Sequence, residues 1–371
     1  KFSGVWIMAY TTIDDPSAYF HTQLYTGDGN TNRDITNDAN AGDFQPDFLW
    51  LKNRTDSSTQ HMLFNSTVGM PNHLNSDLTD AEQTATNKAT AFNADGFRVQ
   101  DHSQVNGNSK NYVAWQWKAN GGTTTTNDAS ATSVGTIDSV YQANTTAGFS
   151  IVTYTGTTSA GTIAHGLGAV PKMIIIKNRD DGAENWAVYH AGIASDAETD
   201  YIYLDSTNAA SDDANLFNDT APTSTVFSIG TSGVVNQAEA HIAYCFAEKK
   251  GYSKFGSYTG NANADGAFVY TGFKPAWLMV KRTDSSQNWA MYDNKRNDDA
   301  PAGANVIDRL IYPNANDAEV DTGGSLMVDF LSNGFKMRGT SAISNGSGTH
   351  IYMAFAEHPF VSSKGVPTTA R

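Results

Sequence analysis

One pattern, written three times, restricts what this chain can fold into more than any other feature it has. Tyr-Thr-Gly occurs at Tyr25-Thr26-Gly27, Tyr154-Thr155-Gly156 and Tyr258-Thr259-Gly260, and a proline follows each tyrosine after 21, 17 and 17 residues, at Pro46, Pro171 and Pro275. Six positions beyond each proline stands a lysine, Lys52, Lys177 or Lys281, closing an apolar run such as Met173-Ile174-Ile175-Ile176. Proline is tolerated at the first residue of a strand, where its missing N–H costs least. A short apolar run without alternation predicts a strand covered on both faces.

Matched positions continue downstream. A second strand carries His61 and Phe64, Trp186 and Tyr189, or Trp289 and Tyr292. A phenylalanine follows, Phe97, Phe227 or Phe335, behind Asp95-Gly96 in the first copy and Asn333-Gly334 in the third, dipeptides suited to tight turns. The last segment begins 15, 14 and 15 residues later, at Tyr112, His241 and His350, and alternates with period two. Val113, Trp115 and Trp117 share one face with the matched sets Ile242, Tyr244, Phe246 and Ile351, Met353, Phe355, and such a large-residue face belongs in a core.

These signals predict an all-β fold: three tandem, diverged β-sandwich or jelly-roll-like modules with little helix. The expected division is a first module with its lead-in over residues 1–118, a Gly/Thr-rich linker over 119–144, a second module over 145–250 and a third with a C-terminal tail over 251–371. Residues 121–132 read as a flexible connection. The second and third copies abut, which predicts a tight pair with the first more loosely attached; the alternatives are beads on a string or a threefold arrangement within one polypeptide. Residues 75–93 have a helical flavour, while their polar counterparts, 206–217 and 314–321, read as loops and variable surface.

The net charge of −14 repels phosphate backbones, so nucleic acid is not an expected partner. No apolar run reaches the roughly 20 residues of a membrane helix, and insertion into a bilayer is not expected. The chain starts at Lys1 rather than methionine and reads as a processed or partial protein. Its one cysteine, Cys245, excludes an intramolecular disulfide.

No GxSxG, HExxH, CxxC or P-loop motif is present. His165-Gly166-Leu167-Gly168 is better read as a turn than as a catalytic loop. Cys245 is matched by Gln116 and Ala354, so a small buried residue is a better reading than a nucleophile. His241 and His350, opposite Tyr112 in the first copy, read as structural. Asp28 and Asn30, and separately Asp180 and Asp181, offer oxygen ligands of the kind Ca²⁺ takes, against a preferred reading as solvated turns; no other cofactor is expected. Lys177 and Lys281, like Lys52, are candidate glycan contacts, with a charged strand end as the preferred alternative. Trp186, Trp289 and Tyr292 are candidate platforms for stacking on sugars, an assignment that requires at least one of them to face solvent; repeat-matched aromatics are more often core.

The strings GFSIVTYTGTTSAGTIAHGLGAVPKMIIIKNR, NWAVYH and IAYCFAE resemble a domain of unknown function common in marine phage structural proteins, as do FGSYTGNANADGAFVYTGFKPAWLMVKRTD and IDDPSAYFHTQLYTGDG. Such domains often stand beside laminin-G-like modules in tail or fibre proteins. The resemblance implies a virion protein with adhesive potential, and it brings no catalytic residues. The expected function is a non-enzymatic tail or fibre component that attaches the particle to its host, exposed on the virion, assembled with other virion proteins and as a homo-oligomer, and binding a host surface glycan. The alternatives are a purely structural head-decoration, shaft or connector protein, and a glycan-degrading enzyme, which would need paired carboxylates about 5–10 Å apart in a cleft.

Overall fold

The apolar runs behind the prolines become the strands Phe48–Asn53, Pro171–Asn178 and Phe273–Arg282 of a computed structural model, which describes residues 9–38, 43–297 and 306–368. Each Tyr-Thr lies in an opening strand, Phe20–Thr26, Phe149–Thr155 or Ser253–Gly260. The alternating segments form closing strands Asn111–Trp117, Ala240–Ala247 and Gly348–Pro359. The hairpin strands Met62–Asn65, Ala187–His190 and Ala290–Asp293 complete the set. In every repeat the order is opening, closing, proline, hairpin, with all pairings antiparallel. Smaller outer sheets carry Phe97, Phe227 and Phe335. The α-helices among the described residues have four residues each, so the fold is all-β.

Both faces of each closing strand are buried, for different reasons. The small face of the first repeat, with Ala114, packs with Leu49, Phe64 and Phe97 in that repeat's own sandwich; Tyr352 and Ala354 do the same with Val280, Tyr292 and Phe335 in the third. The large face of all three strands meets in one core between the repeats, containing Trp115, Trp117, Tyr244, Phe246, Met353 and Phe355. At its centre Trp117, Phe246 and Phe355, one from each copy, stand edge to face, with centroids 6.4, 5.7 and 6.2 Å apart. This edge-to-face geometry is one that aromatic quadrupoles favour. The first copy is therefore not loosely attached: a sheet with two apolar faces must cover both, and the second is covered only by its two neighbours.

The Tyr-Thr-Gly signature is explained by a latch. The hydroxyls of Tyr25 and Tyr154 donate to the carbonyls of Val105 and Val235 at 2.6 and 2.7 Å, and Tyr258 donates to that of Ser344. Each tyrosine also stacks on its cross-strand partner, Tyr112, His241 or His350, with centroids 5.0, 5.1 and 5.0 Å apart. The next residue after each acceptor is a buried asparagine, Asn106, Asn236 or Asn345, whose side-chain oxygen accepts from the N–H of Asp28, Thr157 or Asn261. A Cβ at Gly27, Gly156 or Gly260 would lie 2.1, 2.0 or 2.2 Å from a carbonyl of that same loop, so only glycine lets the chains approach.

Three local expectations are corrected. Residues 121–132 are not a free linker: Thr125–Asn127 is a strand, Ala129–Thr132 a helical turn, and Ser139–Asn144 pairs with the second opening strand. The turn before them is held because buried Asp47 accepts from the N–H groups of Ala119, Gly121 and Gly122, and buried Gln142 from those of Asn120 and Gly122. Nor is there a helix in residues 75–93, where Gln83–Thr84 and Ala89–Asn93 are strands. A helix would consume carbonyls that the neighbouring repeat uses. The reverse holds in residues 206–217, expected as loop, where Ala214–Phe217 is a helical turn capped by Asp213.

Candidate functional site

The residues that recur between copies converge on the seams between repeats. His61, Trp186 and Trp289 each direct a ring N–H at a backbone carbonyl of a neighbouring repeat: His61 at Tyr312 (3.0 Å), Trp186 at Asn75 and Leu78 (3.0 and 3.2 Å), Trp289 at Tyr203 (2.9 Å). The Nδ1 of His61 accepts from Trp50 at 2.9 Å, which leaves the proton on Nε2. Beside these bonds, the N–H groups of Glu82, Ala210 and Glu319 donate to the carbonyls of Arg179, Thr283 and Arg54 at 2.7, 2.8 and 3.0 Å. First joins second, second joins third, third joins first: the contacts follow a pseudo-threefold cycle.

The sugar-stacking assignment fails on burial. Trp186, Trp289 and Tyr292 are 0%, 1% and 0% exposed, so none presents a face to a ligand. Lys177 and Lys281 are also fully buried, as is Lys52, and none is a charged strand end in water. Their ammonium groups hold the hairpin loops: Lys177 donates to the carbonyls of Asp181 and Glu184 at 3.2 and 2.9 Å, Lys52 to that of Thr59 at 2.7 Å, and Lys281 to Gln287 and, across a seam, to Thr207. Burial pulls all three amines down to about 8. Alternation and repetition pointed to these positions, but neither says whether a conserved spacing faces water or a neighbouring repeat.

The oxygen donors considered for Ca²⁺ are engaged in hydrogen bonds within the protein. Asp28 accepts from the Asn30 N–H and from Asn106, both at 2.9 Å, and the Asn30 carbonyl also receives Asn106. In the second repeat Asp180 accepts from the Ala240 N–H at 2.9 Å and Asp181 from that of Ala183 at 2.8 Å. Among the described residues no three His, Cys, Asp or Glu side chains are grouped to hold a metal. Cys245 is buried, and burial pushes its thiol well up. His165 is buried too, with its ring tied to Thr223 and Leu167, in a turn where Gly166 and Gly168 take positive φ.

What the spacing did not reveal is that one seam is left open. Between the first and third repeats a cavity of about 470 Å³ is lined by residues that include His21, Asp38, Lys295, Glu357 and His358. The corresponding place between the first and second repeats is filled by Gln142, which donates to Ser66 and Thr67 at 2.9 and 3.0 Å. In the open seam each carboxylate has a partner: Asp15 accepts from Ser17 at 3.0 Å, Asp38 lies 3.5 Å from Lys295, and Glu357 2.8 Å from Lys274. Burial lowers the pKa of His21, an effect that Asp38, 3.9 Å away, opposes. The cavity offers hydrogen bonds and both signs of charge to a small polar molecule.

The fold and its seams thus define an all-β protein built from one strand motif used three times. Residues 15–359, a span that includes all three repeats, match the family described as a domain of unknown function (DUF7483), and the chain belongs to that family. No curated protein matches it.

Proposed function

We propose that this protein is a non-enzymatic structural component of a phage virion, part of a tail or fibre, that contributes to attachment at the host surface. The observation that carries the reading is the shared core centred on Trp117, Phe246 and Phe355, which packs the three repeats together as one body. Such a body matches the shape of a trimer within one chain and can seat on a threefold assembly of other virion proteins. The resemblance to marine phage structural proteins and the acidic surface support the same reading. The burial of every repeat-matched aromatic and lysine considered as a ligand contact favours a second reading, a shaft, connector or decoration protein with no ligand.

The test has two parts. Mass spectrometry of purified particles should find the chain in the virion, and its absence there would sink the proposal. Binding of the purified protein to intact host cells, before and after periodate treatment, separates the readings: saturable binding lost after periodate supports glycan attachment, and no binding by folded protein supports the purely structural role.

A further inference from the structure

With no ligand contact left among the recurring residues, the positions that break the repeat become informative. Three strands occupy the same place in the outer sheets, and register fixes their alignment: Ile35 pairs with Phe97, Ile163 with Phe227 and Val269 with Phe335. The residues flanking these are Asp34 and Thr36 in the first repeat and Thr162 and Ala164 in the second, but Phe268 and Tyr270 in the third. Asp34 is ion-paired with Arg98 at 2.8 Å. The architecture therefore does not require aromatics here, since two of three copies manage with polar or small residues.

Phe268 and Tyr270 are nevertheless 47% and 53% exposed, and with Val170 and Val366 they are the large exposed apolar residues of the described chain. They alternate with inward-facing Val269, so both rings stand on the solvent side, roughly 7 Å apart along the strand. Their fringe is polar. The Tyr270 hydroxyl lies 3.2 Å from that of Tyr10, which donates to the Gly272 carbonyl at 2.8 Å and carries the Lys250 ammonium 4.4 Å from its ring centre. Beside Phe268, its cross-strand partner Lys336 pairs with Asp265 at 2.7 Å.

We propose that Phe268 and Tyr270, with Tyr10 at their edge, form a stacking platform for a neutral pyranose-containing glycan. A pyranose ring has an apolar C–H face that covers an aromatic ring and hydroxyls around its rim, which here meet Tyr10, Lys250, Asp265 and Lys336. Two rings make a patch far smaller than a stable protein–protein contact needs, about 800 Å² per partner. A strand of three residues is also too short to template a partner strand. The net charge of −14 disfavours anionic glycans. The proposal rests on the attachment reading and gives it a site.

The test is saturation-transfer NMR of the intact protein with maltohexaose, cellohexaose, α-1,6-mannohexaose and β-1,4-galactohexaose. At least one should receive transfer at ring protons, and Phe268→Ala or Tyr270→Ala should weaken its binding about 10-fold, by loss of the stacking face. Tyr270→Phe and the control Val170→Ala should leave it within about 2-fold, and near-UV circular dichroism should be unchanged throughout. No transfer to any of the four sugars, or binding that survives the double alanine variant, overturns the platform. Cell binding that is periodate-sensitive yet survives the double variant overturns the platform and leaves the attachment reading standing.

Discussion

Arg54 grips Glu319 with two prongs, Nη2–Oε1 at 2.8 Å and Nε–Oε2 at 3.0 Å, and this pair fastens the first repeat to the third. Arg179 and Glu82 make the same fork between second and first, at 2.8 and 3.0 Å. The third seam has Thr283 and Ala210 in the matching places, and between these two residues only the backbone bond remains. Where the ring closes, Glu319 also receives Arg296 at 2.9 Å, and Arg296 is bound to Asp293, to which Trp115 donates at 3.0 Å. Removing Glu319 takes one carboxylate away from two largely buried guanidinium groups, Arg54 and Arg296.

Glu319→Ala should therefore lower unfolding free energy by about 3–5 kcal/mol, the penalty for breaking a buried pair from one side. Glu82→Ala, which strands only Arg179, should cost less. Urea unfolding of both variants checks this, and equal penalties would show that the third-to-first seam is not specially dependent on charge.

The shared core predicts cooperativity. Trp117→Ala and Phe355→Ala, in different repeats, should each cost about 3–5 kcal/mol and shift a single transition seen alike by fluorescence and far-UV circular dichroism. Modules with independent cores would instead show one displaced transition beside an unaltered one.

Glycine substitutions separate two kinds of constraint. Gly156→Ala puts a Cβ 2.0 Å from the Gln237 carbonyl oxygen, a backbone atom that cannot move without opening the Tyr154 latch. Gly168→Ala meets nothing within 4 Å and bears only its φ of +63°. Expected penalties are more than about 3 kcal/mol for the first, by analogy with overpacking, and about 1–2 kcal/mol for the second; thermal melts of both variants decide.

His190 sets a pH dependence. Its Nε2 donates to the Tyr352 carbonyl at 3.0 Å across the second-to-third seam, while Nδ1 accepts from the Gly192 N–H at 3.1 Å, so the ring must be neutral. Burial holds its folded pKa near about 4, against 6.5 for a free histidine. Between these values the unfolded chain binds the extra proton, so stability from this group is present above pH 6.5 and falls as pH drops toward 4. His190→Gln should show a shallower loss of stability between pH 6.5 and 4 than the native chain, measured by denaturant midpoints across that range. An identical slope would remove His190 as a contributor.

The proline, hairpin and closing strands of each repeat and the large face of each closing strand were legible in the sequence because they follow from local rules: proline at a strand start and period-two alternation. The roles of Lys177, Lys281, Trp186, Trp289 and Tyr292 were not, because a recurring polar or aromatic position reads alike whether it faces water or another copy. The seam bonds are accepted by the carbonyls of Asn75, Tyr203 and Tyr312, at the start of or just ahead of the segments that looked most variable, and a backbone carbonyl, which every residue possesses, leaves no signature. Sequence determined three similar sheets, each with two apolar faces. The tertiary structure decided what covers the second face, because only packing three copies around Trp117, Phe246 and Phe355 removes it from water, and that closure left one seam open and one aromatic pair exposed.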